Sequence, residues 1–210
     1  MAYRAVIFDL GGVVFPSPFD AFDEYERNAG LPPRFIRSVV AASAEDGAWA
    51  QFERSELDFA AFCRALEAEC AAAGGTVDAA ALMQSITVGF APRPEMTRAI
   101  GRLRDAGLRV GALTNNWAQP GDRTLREPRD LGFHTVVESA VEGIRKPDPR
   151  IYELVCRRLD VTPEACVFLD DLGINLKPAR TMGMTTIKVI DPSEALVELG
   201  RHLGLDLIAA

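Results

Sequence analysis

The chain has 210 residues, of which 48% are hydrophobic and 25% charged, with a formal net charge of −7. This balance is typical of a globular protein and argues against a disordered or fibrous one. The acidic excess disfavours binding to a nucleic-acid backbone. The N-terminus turns acidic too early for a signal peptide, and no apolar run is long enough to span a membrane. We expect a soluble, cytoplasmic protein that binds neither nucleic acid nor membrane, as a monomer or a homodimer.

The first predicted element is a buried strand, Tyr3–Asp9, which ends in a single acid before Gly11-Gly12. Residues 17–90 then lack any strong strand pattern. Their segments are rich in alanine and glutamate at helical spacing, and Leu31-Pro32-Pro33 and Ala73-Gly74-Gly75 divide them. This pattern predicts a helical insertion, residues 17–90, in a core domain formed by residues 1–16 and 91–210.

Strands and helices alternate in the rest of the chain. The predicted strands are Arg109–Thr114, Thr135–Ser139, Cys166–Asp170 and Thr185–Ile190. The predicted helices are Pro94–Ala106 with Gly107 as its stop, a helix opening at Asp148-Pro149, and Leu176–Met182 with Pro178 near its start. Such alternation predicts an α/β fold with a doubly wound, mostly parallel sheet that is covered by helices on both faces.

The four cysteines form no CxxC pair. Cys63 and Cys70 are seven residues apart on an apolar helical stripe, and the two histidines stand alone. We therefore expect core packing rather than a structural zinc site.

Polar side chains follow the predicted strands at their carboxyl ends, where parallel sheets gather ligands. Strand one delivers Asp9, the next delivers Thr114, Asn115 and Asn116, and a later strand delivers Asp170 and Asp171, while Lys146 follows the short strand. These residue types suit phosphoryl transfer. A carboxylate can attack phosphorus to give an acyl phosphate, and Mg²⁺ between carboxylates and phosphate would offset their repulsion. Lys146 would neutralise the nucleophile and the phosphoryl oxygens. Each residue alone is weak evidence, and the prediction depends on their order and spacing together.

The combined motifs resemble those of the haloacid dehalogenase (HAD) superfamily. The matching stretches are AVIFDLGGVV, GALTN, GIRKPDPRIY and VFLDDLGINLKPARTMGM. The last two are similar to the N-terminal phosphatase domain of soluble epoxide hydrolase and to the HAD domain fused to some acyl-CoA dehydrogenases.

The resemblance implies a Rossmann-like core, a helical cap and a Mg²⁺-dependent phosphatase acting on a small phosphorylated molecule. It implies that Asp9 is the nucleophile and a metal ligand, with Asp171 as the main second carboxylate, Asp170 in support and the Gly11 carbonyl also on the metal. It places Leu10, Gly11, Thr114, Asn115, Lys146 and Asn175 at the phosphate, with Lys146 and Thr114 assisting catalysis.

One position departs from the usual phosphatase pattern. The family's second Asp, the general acid and base two residues after the nucleophile, is replaced here by Gly11. Three outcomes stay open: a substrate with a good leaving group, proton delivery by water or a cap residue, or a weakly active phosphate-binding domain. A metal-independent 2-haloacid dehalogenase is a further alternative, because those relatives also lack the second Asp. Three carboxylates without a cation would repel one another, which favours the phosphatase.

Six aromatic residues near the predicted site are candidates for an apolar substrate pocket. They are Phe15, Phe19, Phe22, Trp49, Phe52 and Trp117. Packing within the cap or against the sheet is the alternative for each of them.

Overall fold

The computed structural model describes residues 2–87, 91–117 and 131–208. Within them, five parallel strands form one sheet in the order β3-β2-β1-β4-β5. The strands are β1 Ala5–Phe8, β2 Arg109–Thr114, β3 Thr135–Glu138, β4 Cys166–Asp170 and β5 Thr185–Lys188. The predicted α/β fold with a parallel sheet is confirmed.

Both faces of the sheet are buried, as the unalternated apolar strands predict. In β1, Val6 and Phe8 belong to the hydrophobic cluster on one face, while Ala5 and Ile7 belong to the cluster on the other. Helices α6 Pro94–Asp105 and α10 Pro192–Leu203 cover the first face. Helices α8 Pro149–Leu159 and α9 Gly173–Thr181 cover the second. A short helix, α7 Ser139–Glu142, follows β3 directly.

Five α-helices lie between β1 and α6 in the part of the chain that the structure describes. They are α1 Pro18–Ala29, α2 Phe35–Ser43, α3 Ala48–Glu53, α4 Phe59–Ala72 and α5 Ala79–Thr87. These inserted helices share a hydrophobic cluster of their own, built around Phe22, Trp49, Phe62 and Leu66. Residues 88–90 of the predicted cap lie outside the described residues, and the division into core and cap domains stays a prediction.

Capping residues explain where several helices begin. The Asp148 carboxylate accepts a hydrogen bond from the Arg150 N–H, and Pro149 occupies the first turn of α8, as predicted. Ser17 and Asp58 accept from backbone N–H groups in the same way at α1 and α4. The predicted stop of α6 is also present, since Gly107 adopts a φ of +81° just after the helix.

The structure corrects one helix and trims the ends of others. The predicted Leu176–Met182 helix begins three residues earlier, at Gly173, so Pro178 lies inside α9 rather than near its start. Proline cannot donate to the carbonyl four residues before it. That residue, Ile174, is 65% exposed, so water can hydrate the carbonyl. β1 begins two residues later and ends one residue earlier than predicted, β3 ends at Glu138, and β5 ends at Lys188.

The cysteines of the structure are free thiols, and Cys70, Cys156 and Cys166 are buried while Cys63 is partly exposed. No helix among the described residues is both long and apolar enough to cross a membrane.

Candidate active site

The central strands bring the predicted residues to one edge of the sheet. β2, β1 and β4 are neighbours, so Thr114 at the end of β2, Asp9 just after β1 and Asp170 at the end of β4 share the carboxyl edge. The Asp9 N–H still donates to the Leu169 carbonyl at 2.8 Å, which fixes the start of the loop. Lys146 joins them from the loop between α7 and α8.

Lys146 is the cation at the centre of the site. Its Nζ lies 2.8 Å from Asp9 Oδ2 and 2.7 Å from Asp170 Oδ2, and its side chain is 1% exposed. Asn115 holds the Lys146 backbone through two bonds, accepting from its N–H at 2.8 Å and donating to its carbonyl at 3.0 Å. The Asn115 amide is therefore engaged in positioning the Lys146 loop, and its predicted contact with phosphate stays a prediction.

Asp170 is saturated with hydrogen-bond donors. Besides Lys146, it accepts from the Leu172 N–H at 2.8 Å and from Asn175 Nδ2 at 3.0 and 3.1 Å. Asn175 is itself held by Tyr152, whose hydroxyl donates to the Asn175 carbonyl at 2.7 Å. Asp170 thus acts on the site mainly by holding Lys146, which leaves Asp9 and Asp171 with more capacity to bind a metal.

Three carboxylates, Asp9, Asp170 and Asp171, could hold a metal ion, because an oxygen from each lies within 4.8 Å of the others. Carboxylate oxygens are the ligands that Mg²⁺ prefers. The electrostatics of these acids fit a bound cation. Burial raises the pKa of Asp9 well above its usual value; Lys146 opposes this, while Asp170 and Asp171 add to it. Burial and Asp170 together raise the pKa of Asp171 to about 6. A divalent cation would favour the ionised form of both acids.

The charge of Lys146 is secure despite its burial. Burial alone would lower the pKa of the ammonium, but Asp170 and Asp9 outweigh that effect, and the pKa lies above its ordinary value. Lys146 therefore stays a fixed positive charge at neutral pH.

The loop after Asp9 requires glycine at one of its two glycine positions. Gly12 has a φ of +77°, and a Cβ there would lie 2.4 Å from Asp171 Oδ2, so only glycine allows this approach. Gly11 is less constrained, since its Cβ would meet the Pro18 ring at 3.4 Å, an ordinary contact. Gly11 lines the cavity above the site. The Leu10 N–H donates to Asp9 Oδ1 at 2.7 Å, and its side chain packs in the core.

Thr114 lies at the same sheet edge but does not line the cavity. It is buried, and its hydroxyl donates to the Asn115 carbonyl at 3.3 Å. Asn116, which follows Asn115, has a structural contact instead, because its Nδ2 donates to Glu138 Oε1 at 2.9 Å and so joins the ends of β2 and β3.

A cavity of about 330 Å³ lies over Asp9 and Asp171, between the sheet edge and the inserted helices. Four of the six predicted aromatic residues line it: Phe19, Phe22, Trp49 and Trp117. Phe15 packs in the core on one face of the sheet, and Phe52 packs among the inserted helices.

Sequence reasoning missed a set of charged residues in the same cavity. Arg145, next to Lys146, contacts Glu53 of α3 at 2.7 Å and Glu45, which lies between α2 and α3, at 2.6 Å. Glu53 also accepts from Trp49 Nε1 at 2.9 Å. The only sequence signal was the position of Arg145 beside Lys146, because its partners lie about 100 residues away. Arg37, on α2, and Tyr152, on the buried face of α8, were also missed.

Comparisons with known proteins agree with this geometry. The family model described as haloacid dehalogenase-like hydrolase matches residues 3–183. The chain is 37% identical over 209 residues to acyl-CoA dehydrogenase family member 10 of Mus musculus, covering 98% of this chain and 20% of that protein. It is 33% identical to bifunctional epoxide hydrolase 2 of Sus scrofa, covering 99% of this chain and 40% of that protein. The chain therefore spans only a fifth to two fifths of these relatives.

One relative matches over nearly its whole length. A sesquiterpene phosphatase of Aspergillus oryzae is 28% identical, with 96% of this chain and 97% of that protein covered. Among solved structures, a HAD family enzyme of Bacteroides thetaiotaomicron in complex with magnesium and inorganic phosphate has a TM-score of 0.64 at 18% identity, covering 89% and 94% of the two chains. The resemblance expected from the sequence is confirmed: the chain belongs to the haloacid dehalogenase-like hydrolase family, and named phosphatases are among its relatives.

Proposed function

We propose that the protein is a Mg²⁺-dependent phosphatase that hydrolyses a small phosphorylated metabolite through an aspartyl-phosphate on Asp9. The observation that carries this proposal is the meeting of Asp9, Asp170 and Asp171 around Lys146 at one buried edge of the sheet. The phosphatase and the magnesium–phosphate complex among the relatives support the same chemistry.

The proposed reaction has two steps. An oxygen of the Asp9 carboxylate attacks phosphorus and forms the acyl phosphate, while the bond between phosphorus and the leaving oxygen breaks and the alcohol or acid departs. Water then hydrolyses the acyl phosphate and releases inorganic phosphate. Mg²⁺ held by Asp9, Asp171 and the Gly11 carbonyl would supply the positive charge that lets two anions approach.

The chain's own residues position and neutralise the reacting groups. Lys146 lies 2.8 Å from the nucleophile and balances its charge and that of the phosphoryl oxygens. Asp170, Asn115 and Asn175 hold Lys146 in place. We propose that the inserted helices act as a cap, since Phe19, Phe22 and Trp49 close the cavity over Asp9.

The supply of a proton to the leaving oxygen limits which leaving groups the site can release. Gly11 offers no side chain, and the two glutamates of the cavity, Glu45 and Glu53, are paired with Arg145. General acid catalysis typically contributes roughly 10²–10⁴-fold. We therefore infer that the substrate has a good leaving group, such as an aryl, acyl or anomeric phosphate.

The proposal is tested by phosphate release from an aryl phosphate with Mg²⁺, and then with a chelator. We expect turnover that the chelator abolishes and that Asp9→Asn lowers at least about 10³-fold. Asp105→Asn, at an exposed position at the end of α6, is the matched control. Full activity of Asp9→Asn, or activity that a chelator leaves intact, contradicts the proposal.

Gly11 is also compatible with two other functions, and assays on the same purified protein can distinguish them. A phosphate-binding domain would show ligand-induced thermal stabilisation without turnover across a panel of acyl, aryl and sugar 1-phosphates. A dehalogenase would release halide from a 2-haloacid in the presence of chelator.

A further inference from the structure

Arg37 places an additional positive charge in the wall of the active-site cavity. It belongs to α2 and lines the cavity together with Asp9 and Asp171. Its guanidinium carbon lies 4.1 Å from the centre of the Phe19 ring, within the range of a cation–π attraction. Stacking on Phe19 restricts the plane of the guanidinium, so its N–H edges are oriented before a ligand binds.

The charge of Arg37 is less well matched than those of the other two cations that line the cavity. Lys146 and Arg145 each contact two carboxylates at 2.6–2.8 Å. Within the described part of the chain, Arg37 forms an ion pair with Asp23 alone, at 3.9 Å, and Asp23 is 45% exposed. Arg37 Nε is buried and has no hydrogen-bond partner among the described residues. An anion in the cavity would complement the charge, which Asp23 meets only at 3.9 Å.

The reacting phosphate is not the best candidate for that anion. The reacting phosphate lies at the sheet edge in the proposed reaction, where Lys146, held by Asp170 and Asn115, and the proposed Mg²⁺ would face it. Arg37 comes instead from the inserted helices, in a wall that also contains the apolar side chains of Phe22, Val40 and Trp49. A planar guanidinium matches a carboxylate through two parallel hydrogen bonds.

We propose that Arg37 determines substrate specificity by binding a carboxylate that the substrate carries apart from its phosphate, on a short apolar skeleton. This inference rests on the proposed function of the site, since it places the phosphate of the substrate at Asp9. The substrate class is then a phosphorylated carboxylic acid, with the apolar part of the molecule against the aromatic wall.

The test compares phenyl phosphate with a series of aryl phosphates that carry a para carboxylate directly or through one to three methylenes. We expect one member of the series to be preferred over phenyl phosphate in kcat/KM. Arg37→Met, which keeps an unbranched side chain over Phe19, should reduce that preference roughly 10–100-fold. Arg37→Lys should restore part of it, and Arg64→Met, at an exposed position on α4, should leave it unchanged. Thermal unfolding of each variant confirms that it is folded.

Two outcomes overturn the inference. In the first, no carboxylated compound of the series has a higher kcat/KM than phenyl phosphate. In the second, Arg37→Met lowers kcat/KM equally for phenyl phosphate and for the preferred acid, since Arg37 would then contact the reacting phosphate. If no compound is hydrolysed, the proposed phosphatase function fails, and calorimetric binding of the same series with Mg²⁺ decides the role of Arg37. The proposed role of Arg37 is supported if the carboxylated ligand binds more tightly than phenyl phosphate and Arg37→Met abolishes that difference. Equal affinity with and without the carboxylate refutes the proposed role.

Discussion

Replacing Lys146 with Met tests how the acidic site is stabilised. The side chain is 1% exposed, and its Nζ contacts Asp9 at 2.8 Å and Asp170 at 2.7 Å. Each contact corresponds to a Coulomb attraction of about 6 kcal/mol at an effective dielectric constant of about 20. The cost of desolvating the three charges offsets much of this, so the attraction is not a net stabilisation.

The net effect of removing Lys146 follows from the carboxylates that remain. Two buried acids lose their cation, and breaking a buried ion pair from one side typically costs about 3–5 kcal/mol. Without Lys146, burial and Asp170 hold the pKa of Asp9 higher than in the parent protein. As the pH falls through this pKa, Asp9 of the folded variant binds a proton before Asp9 of the unfolded chain does. The loss of folding stability in Lys146→Met is therefore complete above the pKa that Asp9 has in the folded variant, and it shrinks as the pH falls through that pKa.

Urea unfolding in the presence of a chelator measures this prediction. At pH 8 we expect the midpoint of Lys146→Met to fall by about 1–3 M relative to the parent, with a smaller difference at pH 5.5. Mg²⁺ should recover part of the loss, because a divalent cation can replace the missing charge. Lys177→Met, at an exposed position on α9, is the matched control. A midpoint within about 0.3 M of the parent at both pH values would refute the reasoning.

Three further predictions concern the metal and the missing acid. Gly12→Ala places a Cβ 2.4 Å from Asp171 Oδ2 and strains a φ of +77°. Calorimetry should therefore show that the affinity for Mg²⁺ falls more than about 10-fold. In the control Gly30→Ala, φ is +67° and no atom lies within 4 Å of the new Cβ, so the backbone strain is shared but the affinity should be kept. Because burial and Asp170 raise the pKa of Asp171 to about 6, protons should compete with Mg²⁺ below that pH and lower its affinity roughly tenfold per unit between pH 6 and 5. Affinity that stays constant from pH 7.5 to 5 would count against Asp171 as a ligand. Gly11→Asp introduces a Cβ that meets only the Pro18 ring, at 3.4 Å. It should raise kcat on an alkyl phosphate by about 10²-fold, because the new carboxyl can act as a general acid. An unchanged kcat on alkyl phosphates would show that the missing acid at position 11 does not limit the reaction.

The sequence alone determined the sheet and the acids at its edge. Unalternated apolar runs such as Cys166–Asp170 can be buried on both faces only in a parallel sheet covered by helices, and the carboxyl ends of neighbouring strands must then meet. Asp9, Lys146, Asp170 and Asp171 could therefore be predicted together, and the family relationship could be read from the same motifs. The exact ends of the strands and the start of α9 could not, because hydrogen bonds at element ends depend on neighbours distant in sequence.

Tertiary structure decided how the charges of the site are divided. The sequence gives no reason for Asp170 to be saturated by Lys146, Leu172 and Asn175 while Asp171 faces the cavity, since the two acids are adjacent. It also gives no sign that Arg145 is neutralised by Glu45 and Glu53 while Arg37 keeps only a long contact with Asp23. These pairings join residues up to 100 positions apart. A local pattern can fix which side chains leave a strand or a helix, but only the packing of the inserted helices against the sheet edge sets which charges find partners.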